Sequence, residues 1–223
     1  MSKDMLGSVV RAAIGVPQNR CDLLARIAND LSRDNPRGDE WYAFYEEMRT
    51  QGLPLNTGKW NLIYTRPISD GHELVLPPND GTQTIAQASN VFTYIDPDFK
   101  NWGLDVTSTS TPPLSVVVRE MIKDADFRTI FGEIGDTARL CLTQGQIIDF
   151  VRFHKGWLRT DGYGTFFLFQ KGDKMFVSLD DFYVAYVFSS SGGRLWVHVY
   201  RLLHAYVWLA GSRHRIVVPQ LML

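Results

Sequence analysis

Cysteine is scarce in this chain: only Cys21 and Cys141 occur in 223 residues, and they do not form a Cys-x-x-Cys pair. A disulfide framework is therefore excluded, and the expectation is a reducing compartment, the cytoplasm. Long apolar runs are also missing. None approaches the roughly 18 residues of a membrane span. Met1 to Val16 lacks a basic start, a long apolar centre and a small-residue cleavage site, so no signal peptide is expected and membranes are not an expected partner. Nor is either sign of charge in excess: 23 Lys+Arg stand against 24 Asp+Glu, which excludes a strongly basic whole-chain nucleic-acid binder but not a local patch.

Catalytic signatures are absent too. Asn56-Thr57-Gly58-Lys59 has the Gly-Lys pair of a phosphate loop, without its first glycine or the Ser/Thr that holds magnesium. There is no GxGxxG, GxSxG or HExxH. Asp96-Pro97-Asp98 starts like a calcium loop, but Lys100 and Asn101 then occupy a ligand position and the turn-glycine position. Cys141 and His154 flank one helical stretch, about 20 Å apart if helical, too far to act together. Three histidines, His198, His204 and His214, fall near the end of the chain, but no Cys, Asp or Glu occurs from Arg194 onward to complete a metal shell. No metal and no cofactor is expected.

What is present is an ordinary globular balance, 45% apolar and 21% charged, with aromatics raised to 13%. Large rings at that level must fill a core or form a contact surface. Three regions follow from the patterning. Residues 1–58 read as helical: Asn19 caps a stripe of Leu23, Leu24, Ile27, Ala28 and Leu31, and a second helix carries Trp41, Phe44, Tyr45 and Met48. Residues 59–142 mix elements. Trp60–Tyr64 reads as a strand paired with His72–Leu76, Thr82–Phe92 as a short helix, and Asp96–Pro113 as a loop. Asp126–Ile134 has helical spacing. Leu114–Ile122 does as well, although Val116-Val117-Val118 equally begins a strand.

Residues 143–223 open with a capping box, Thr143 with Gln146 three residues on, followed by the stripe Ile147, Phe150 and Val151. After it the segments 165–169, 174–179, 182–188, 194–202, 205–209 and 213–218 read as strands. Their short links favour antiparallel neighbours. The expected fold is α+β: a helical N-terminal half packed with a C-terminal antiparallel β-meander sheet of about five to six strands.

The clearest functional signal lies in that sheet. Arg194 to Leu223 carries four arginines and no acid, whereas Lys59 to Leu142 carries seven basic and eleven acidic residues. Leu195, Val197 and Val199 alternate with Arg194, Trp196, His198 and Tyr200, and the next segment sets Tyr206 and Trp208 on the ring-bearing side. One face is aliphatic core; the other is aromatic with arginine, including Arg215, at its edge. Helices folding over that second face would make it a second core layer. Left open, it would bind a protein partner or small ligand, or stack the bases of single-stranded nucleic acid. The leading expectation is a soluble, non-catalytic binding or interaction protein using Arg194, Trp196, His198, Tyr200, Tyr206, Trp208 and Arg215. The alternatives are a nucleic-acid module on the same face, and a hydrolase or transferase with a site around His72, Asp96 and Asp98 in the loop-rich middle.

Overall fold

The structure, a computed structural model, describes residues 64–172, 178–190 and 192–220, all within the unit Leu62–Leu223. The helices expected over 1–58 lie outside the described residues, as does most of the strand expected over 174–179; its described end, Ser178 and Leu179, is the cap and start of a 3-10 turn, not strand.

Among the described residues, eight strands form one mixed sheet: β1 (Thr65–Pro67), β2 (Leu74–Leu76), β3 (Tyr94–Ile95), β4 (Leu114–Met121), β5 (Gly164–Gln170), β6 (Phe182–Ser189), β7 (Leu195–Arg201) and β8 (Arg215–Pro219). The order across the sheet is β1-β4-β8-β5-β6-β7-β3, and β2 also pairs with β4. Among the described residues there are three α-helices: α1 (Asp98–Asn101), α2 (Phe127–Ile134) and α3 (Gln144–Phe153).

This corrects the expected fold in three respects. The described part of the first half supplies strands β1–β3, the α-helical turn α1 and a 3-10 turn, Ile85–Gln87, in place of the helix expected over 82–92, not a helical half. Leu114–Met121 is a strand, as its three consecutive valines allow, and it carries β1, β2 and β8. The sheet is also not an antiparallel meander. β8 runs parallel to β5 and antiparallel to β4, and β3 runs parallel to β7. The meander expectation divided residues 202–214 with a strand at 205–209. That stretch is instead one connection, long enough for the chain to cross back over two strands.

Burial explains which strand sits where. In β5, Phe166, Phe167, Leu168 and Phe169 are all buried, and in β8 so are Ile216, Val217 and Val218. Strands that are apolar on both faces belong in the middle of a sheet covered on both sides. β7 alternates, with Leu195, Val197 and Val199 buried between more exposed neighbours, so one of its faces is only partly covered. The first face packs under α3, where Ile147, Ile148, Phe150 and Val151 meet Val116, Val118, Phe167, Val197, Val199 and Val217. The second packs under α2, where Phe127, Ile130 and Phe131 meet Met121, Phe166, Leu168, Val184 and Ile216.

Both helices start as their sequences dictate. The Thr143 hydroxyl accepts from the Gln146 amide at 3.2 Å, and the Gln146 side chain accepts from the Thr143 amide at 2.9 Å, completing the capping box. Asp126 caps α2 through the Thr129 amide at 2.7 Å.

The edges are built from short pieces. β1 and β2 lie end to end along β4 rather than pairing with each other, and where they part the Ser69 hydroxyl accepts from the Val118 amide at 2.9 Å. Residues 77–109 then carry the chain across to the far edge, where β3 pairs with β7. A polar network holds that excursion: Gln144 accepts from the Ile85 amide at 2.9 Å and donates to the Leu104 carbonyl at 2.7 Å, while Asn79 donates to Asp149 at 2.6 Å.

Candidate functional site

On the second face, beyond the cover of α2, the sheet carries a continuous layer of rings. β7 contributes Trp196, His198 and Tyr200, and β6 contributes Tyr186 and Phe188. The antiparallel register sets Phe188 beside Trp196 and Tyr186 beside His198. On the far side of β7, Tyr94 pairs with Trp196, and its ring lies 5.1 Å from Trp196 and 5.2 Å from His198. The layer runs on from Tyr200 to His204 at 5.2 Å and from His204 to Tyr206 at 6.4 Å.

Gly164 permits this layer. A Cβ there would run into the Tyr186 ring, so glycine leaves the room that ring occupies over β5.

Trp208 anchors the end of the layer. It is 8% exposed and makes ring contacts with Phe127, Phe166, Tyr186, Tyr200, Tyr206 and His214. It sits in a loop rather than a strand, tied by paired backbone hydrogen bonds to Ala125. Around this anchor the loop presents apolar side chains to solvent: Leu203 at 43%, Tyr206 at 54%, Val207 at 51% and Leu209 at 57% exposure. A loop anchored at Trp208 with its apolar side chains outward is the composition of a contact surface rather than of an ordinary turn.

His214 lies beneath the layer. It is buried against Phe166, Trp208, Tyr163 and Tyr186, with Nδ1 3.3 Å from both the amide and the carbonyl of Gly164. Burial lowers its pKa to about 4, so the ring is neutral at ordinary pH. Burial also pushes the Tyr186 phenol up to about 12 and raises that of Tyr200, with the neighbouring phenols and Asp96 adding to the rise. His198 Nδ1 lies 3.2 Å from Asp96 Oδ2, which ties the end of β3 to β7.

The structure thus gathers Trp196, His198, Tyr200, Tyr206 and Trp208 on one face. Arg194 is exposed at the β6–β7 turn, at the Trp196 end. Arg215 is on the other face: Ile216 joins the core under α2, so its neighbour points the opposite way, and the Arg215 guanidinium donates to the Leu158 carbonyl at 3.1 Å. Arg201 also turns away, its guanidinium 5.2 Å from the Trp102 ring and 6.0 Å from that of Tyr183. The residues of the alternative site are dispersed. His72 stands edge-on to Trp157 beside β2 at one edge of the sheet, and Asp96 and Asp98 follow β3 at the other. Asp98 accepts from Asn101 within its own turn.

Cys141 is a free thiol whose pKa burial pushes up to about 12, far from the thiolate form that reacts. Among the described residues, no three His, Cys, Asp or Glu side chains gather closely enough to hold a metal ion, and no helix is long and apolar enough to cross a membrane.

The sequence reading missed Tyr94, Tyr186, Phe188 and His204 as members of the layer. The alternation of Tyr186 and Phe188 with Ala185 and Val187 was a usable signal for two of them. Nothing local pointed to Tyr94, because its strand is two residues long and pairs with residues a hundred positions away. No family model, no curated protein and no solved structure matches the chain.

Proposed function

We propose that the protein is a non-catalytic docking module of the cytoplasm, and that its contact surface is the ring layer of β6, β7 and β3 together with the Leu203–Leu209 loop. The observation that carries this reading is the loop: Trp208 is locked into the core while Tyr206, Val207 and Leu209 on either side of it stand more than half exposed. Burying such side chains against a partner is favourable at about 25 cal/mol per Å², and the fixed backbone limits the entropy lost on binding. The free thiol of Cys141 accords with a reducing compartment.

The reading favours an uncharged contact over a nucleic-acid platform. Phosphate binding needs several cations on the stacking face; Arg201 and Arg215 are both engaged on the opposite one, which leaves Arg194 alone of the four C-terminal-region arginines placed at the end of the layer.

Fluorine NMR of the full chain labelled with 5-fluorotryptophan tests the proposal. The chain has six tryptophans, and Trp196→Phe assigns the signal that belongs to the ring layer. Pools of short peptides should move the Trp196 signal while leaving Trp102 and Trp157 in place. Binding that moves only Trp102 or Trp157, or no movement of Trp196 with any pool, would overturn it.

A further inference from the structure

Two arginines away from the ring layer, Arg159 and Arg215, stand together with one exposed carboxylate between them. Arg215 lies on β8 between Glu120 of β4 and Thr165 of β5. Its Nη1 donates to the Leu158 carbonyl at 3.1 Å, and the next residue, Arg159, donates its amide to the Thr165 hydroxyl at 2.9 Å. The two side chains are thus held on neighbouring pieces of backbone. Each feels the other: burial first, and then the Arg159 charge, lower the Arg215 pKa. Arg159 reaches Asp161 at 3.2 Å, a carboxylate whose side chain is 64% exposed. Glu120 is engaged with Arg66 at 2.8 Å. Among the described residues, no carboxylate forms an ion pair with Arg215.

Like charges held side by side and half buried repel, and an anion between them removes the repulsion. The donors show where that anion sits. In both side chains Nε is buried without a partner, out of a ligand's reach. Nη1 is already used, on main-chain carbonyls in Arg215 and on Asp161 in Arg159. That leaves Nη2 of each, which makes no hydrogen bond and remains open to solvent. A guanidinium donates and never accepts, so these groups take only an acceptor, and their charge selects an anion. We propose that Arg159 and Arg215 bind a carboxylate between their Nη2 groups. The site goes beyond the docking reading and does not depend on it.

Charge decides between oxyanions. Arg66, Arg159 and Arg215 stand against Glu120 and Asp161, three positive charges against two negative. A carboxylate brings one negative charge and two oxygens, one for each guanidinium, and leaves the cluster neutral. A phosphate monoester brings about two charges at pH 7 and leaves it negative. Asp161 marks the chemistry that Arg159 takes and competes for it, from a loop that turns at Gly162 with φ +81°. Because that carboxylate is exposed, its ion pair contributes little to stability. Removing it therefore separates the two roles: a structural pair only loosens the loop, whereas a competitor hands its place to the ligand.

Nitrogen-15 NMR of the arginine Nε–H groups in the full chain tests the site, since the buried Nε–H protons of Arg159 and Arg215 exchange slowly with water. Arg159→Lys and Arg215→Lys each delete one signal and so assign the pair, and the Arg159 signal alone suffices if Arg215→Lys does not fold. The probes are sodium acetate, a blocked Gly-Glu-Gly peptide, inorganic phosphate and sodium chloride, at pH 7 and constant ionic strength. Acetate and the peptide should move both signals along one saturating curve, and chloride should not. A peptide at least tenfold tighter than acetate points to an acidic peptide as the source of the carboxylate; equal affinities point to a small organic acid. Asp161→Asn should tighten acetate binding by threefold or more. Arg159→Lys keeps the charge and loses the planar fork, so it should weaken binding read at Arg215 by threefold or more. No saturating movement with acetate or the peptide overturns the proposal. So does phosphate binding tighter than acetate, or an Asp161→Asn variant that binds acetate no tighter.

Discussion

Truncating Trp208 should unfold this protein more readily than truncating any other ring of the exposed layer. The indole is 8% exposed and touches six other rings. A buried aromatic side chain covers about 150–250 Å², which at 25 cal/mol per Å² is worth about 4–6 kcal/mol. That figure is an upper estimate, because the unfolded chain already hides part of the ring. The Nε1 donor, buried without a partner, offsets about 1–3 kcal/mol of it. Trp208→Ala should therefore cost about 3 kcal/mol, the middle of the resulting range of about 1–5 and the low end of that seen for large aromatic truncations. Trp208→Phe removes the orphan donor with only part of the ring and should cost under about 2 kcal/mol.

Tyr206, two residues away and 54% exposed, sets the contrast: Tyr206→Ala should cost under about 1 kcal/mol. Urea titrations followed by far-UV circular dichroism give all three values, provided the slope is the same in each variant. Comparable losses at Trp208 and Tyr206 would refute the division between anchor and exposed surface. So would a Trp208→Phe variant as unstable as Trp208→Ala.

Thr143→Ala removes one side of the capping box and should lower stability by about 0.5–2 kcal/mol in denaturant titration; no change would mean that the cap contributes nothing. His214 has a folded pKa of about 4, below the ordinary 6.5, so the unfolded chain takes up a proton that the folded chain refuses. Stability should therefore be full above about pH 6.5 and fall as the pH drops toward 4, by up to roughly 3 kcal/mol. Thermal melts from pH 7 to 4 should show this slope, and His214→Phe should flatten it. Cys141 should react slowly with a thiol reagent in the folded state and quickly in denaturant; fast labelling of the native protein would contradict its burial.

The part of the site that follows a local period was legible in the sequence. Leu195, Val197 and Val199 alternate with Trp196, His198 and Tyr200, and the sheet places them on opposite faces as that period requires. The capping box at Thr143 was equally plain, because both of its hydrogen bonds join residues three apart. What depended on distant pairing was not legible. The runs Phe166–Phe169 and Ile216–Val218 lack alternation because both of their faces are covered, and that pattern says "central strand" without saying between which neighbours. Arg215 was assigned to the aromatic edge from the charge asymmetry of its region, whereas its side-chain direction is set by the pairing of β8 with β4 and β5. Tyr94 and Asp96 join the site only through a parallel pairing across a hundred residues.

The position of β8 has a consequence for how the chain is assembled. β8 is the last strand in chain order, yet it lies between β4 and β5 and hydrogen-bonds to both. Until synthesis has passed residue 219, the strands on one side of that gap have no ladder to the strands on the other. During translation β4, with β1 and β2, and the β5–β6–β7 group can each pair internally, but their facing edges stay open. Open edges on a waiting chain invite wrong partners. Closing the gap joins contacts far apart in sequence, which slows folding. A stop codon before Arg215 would therefore do more than remove five residues of strand: it would leave two half-sheets, each with an apolar edge that has nothing to close it.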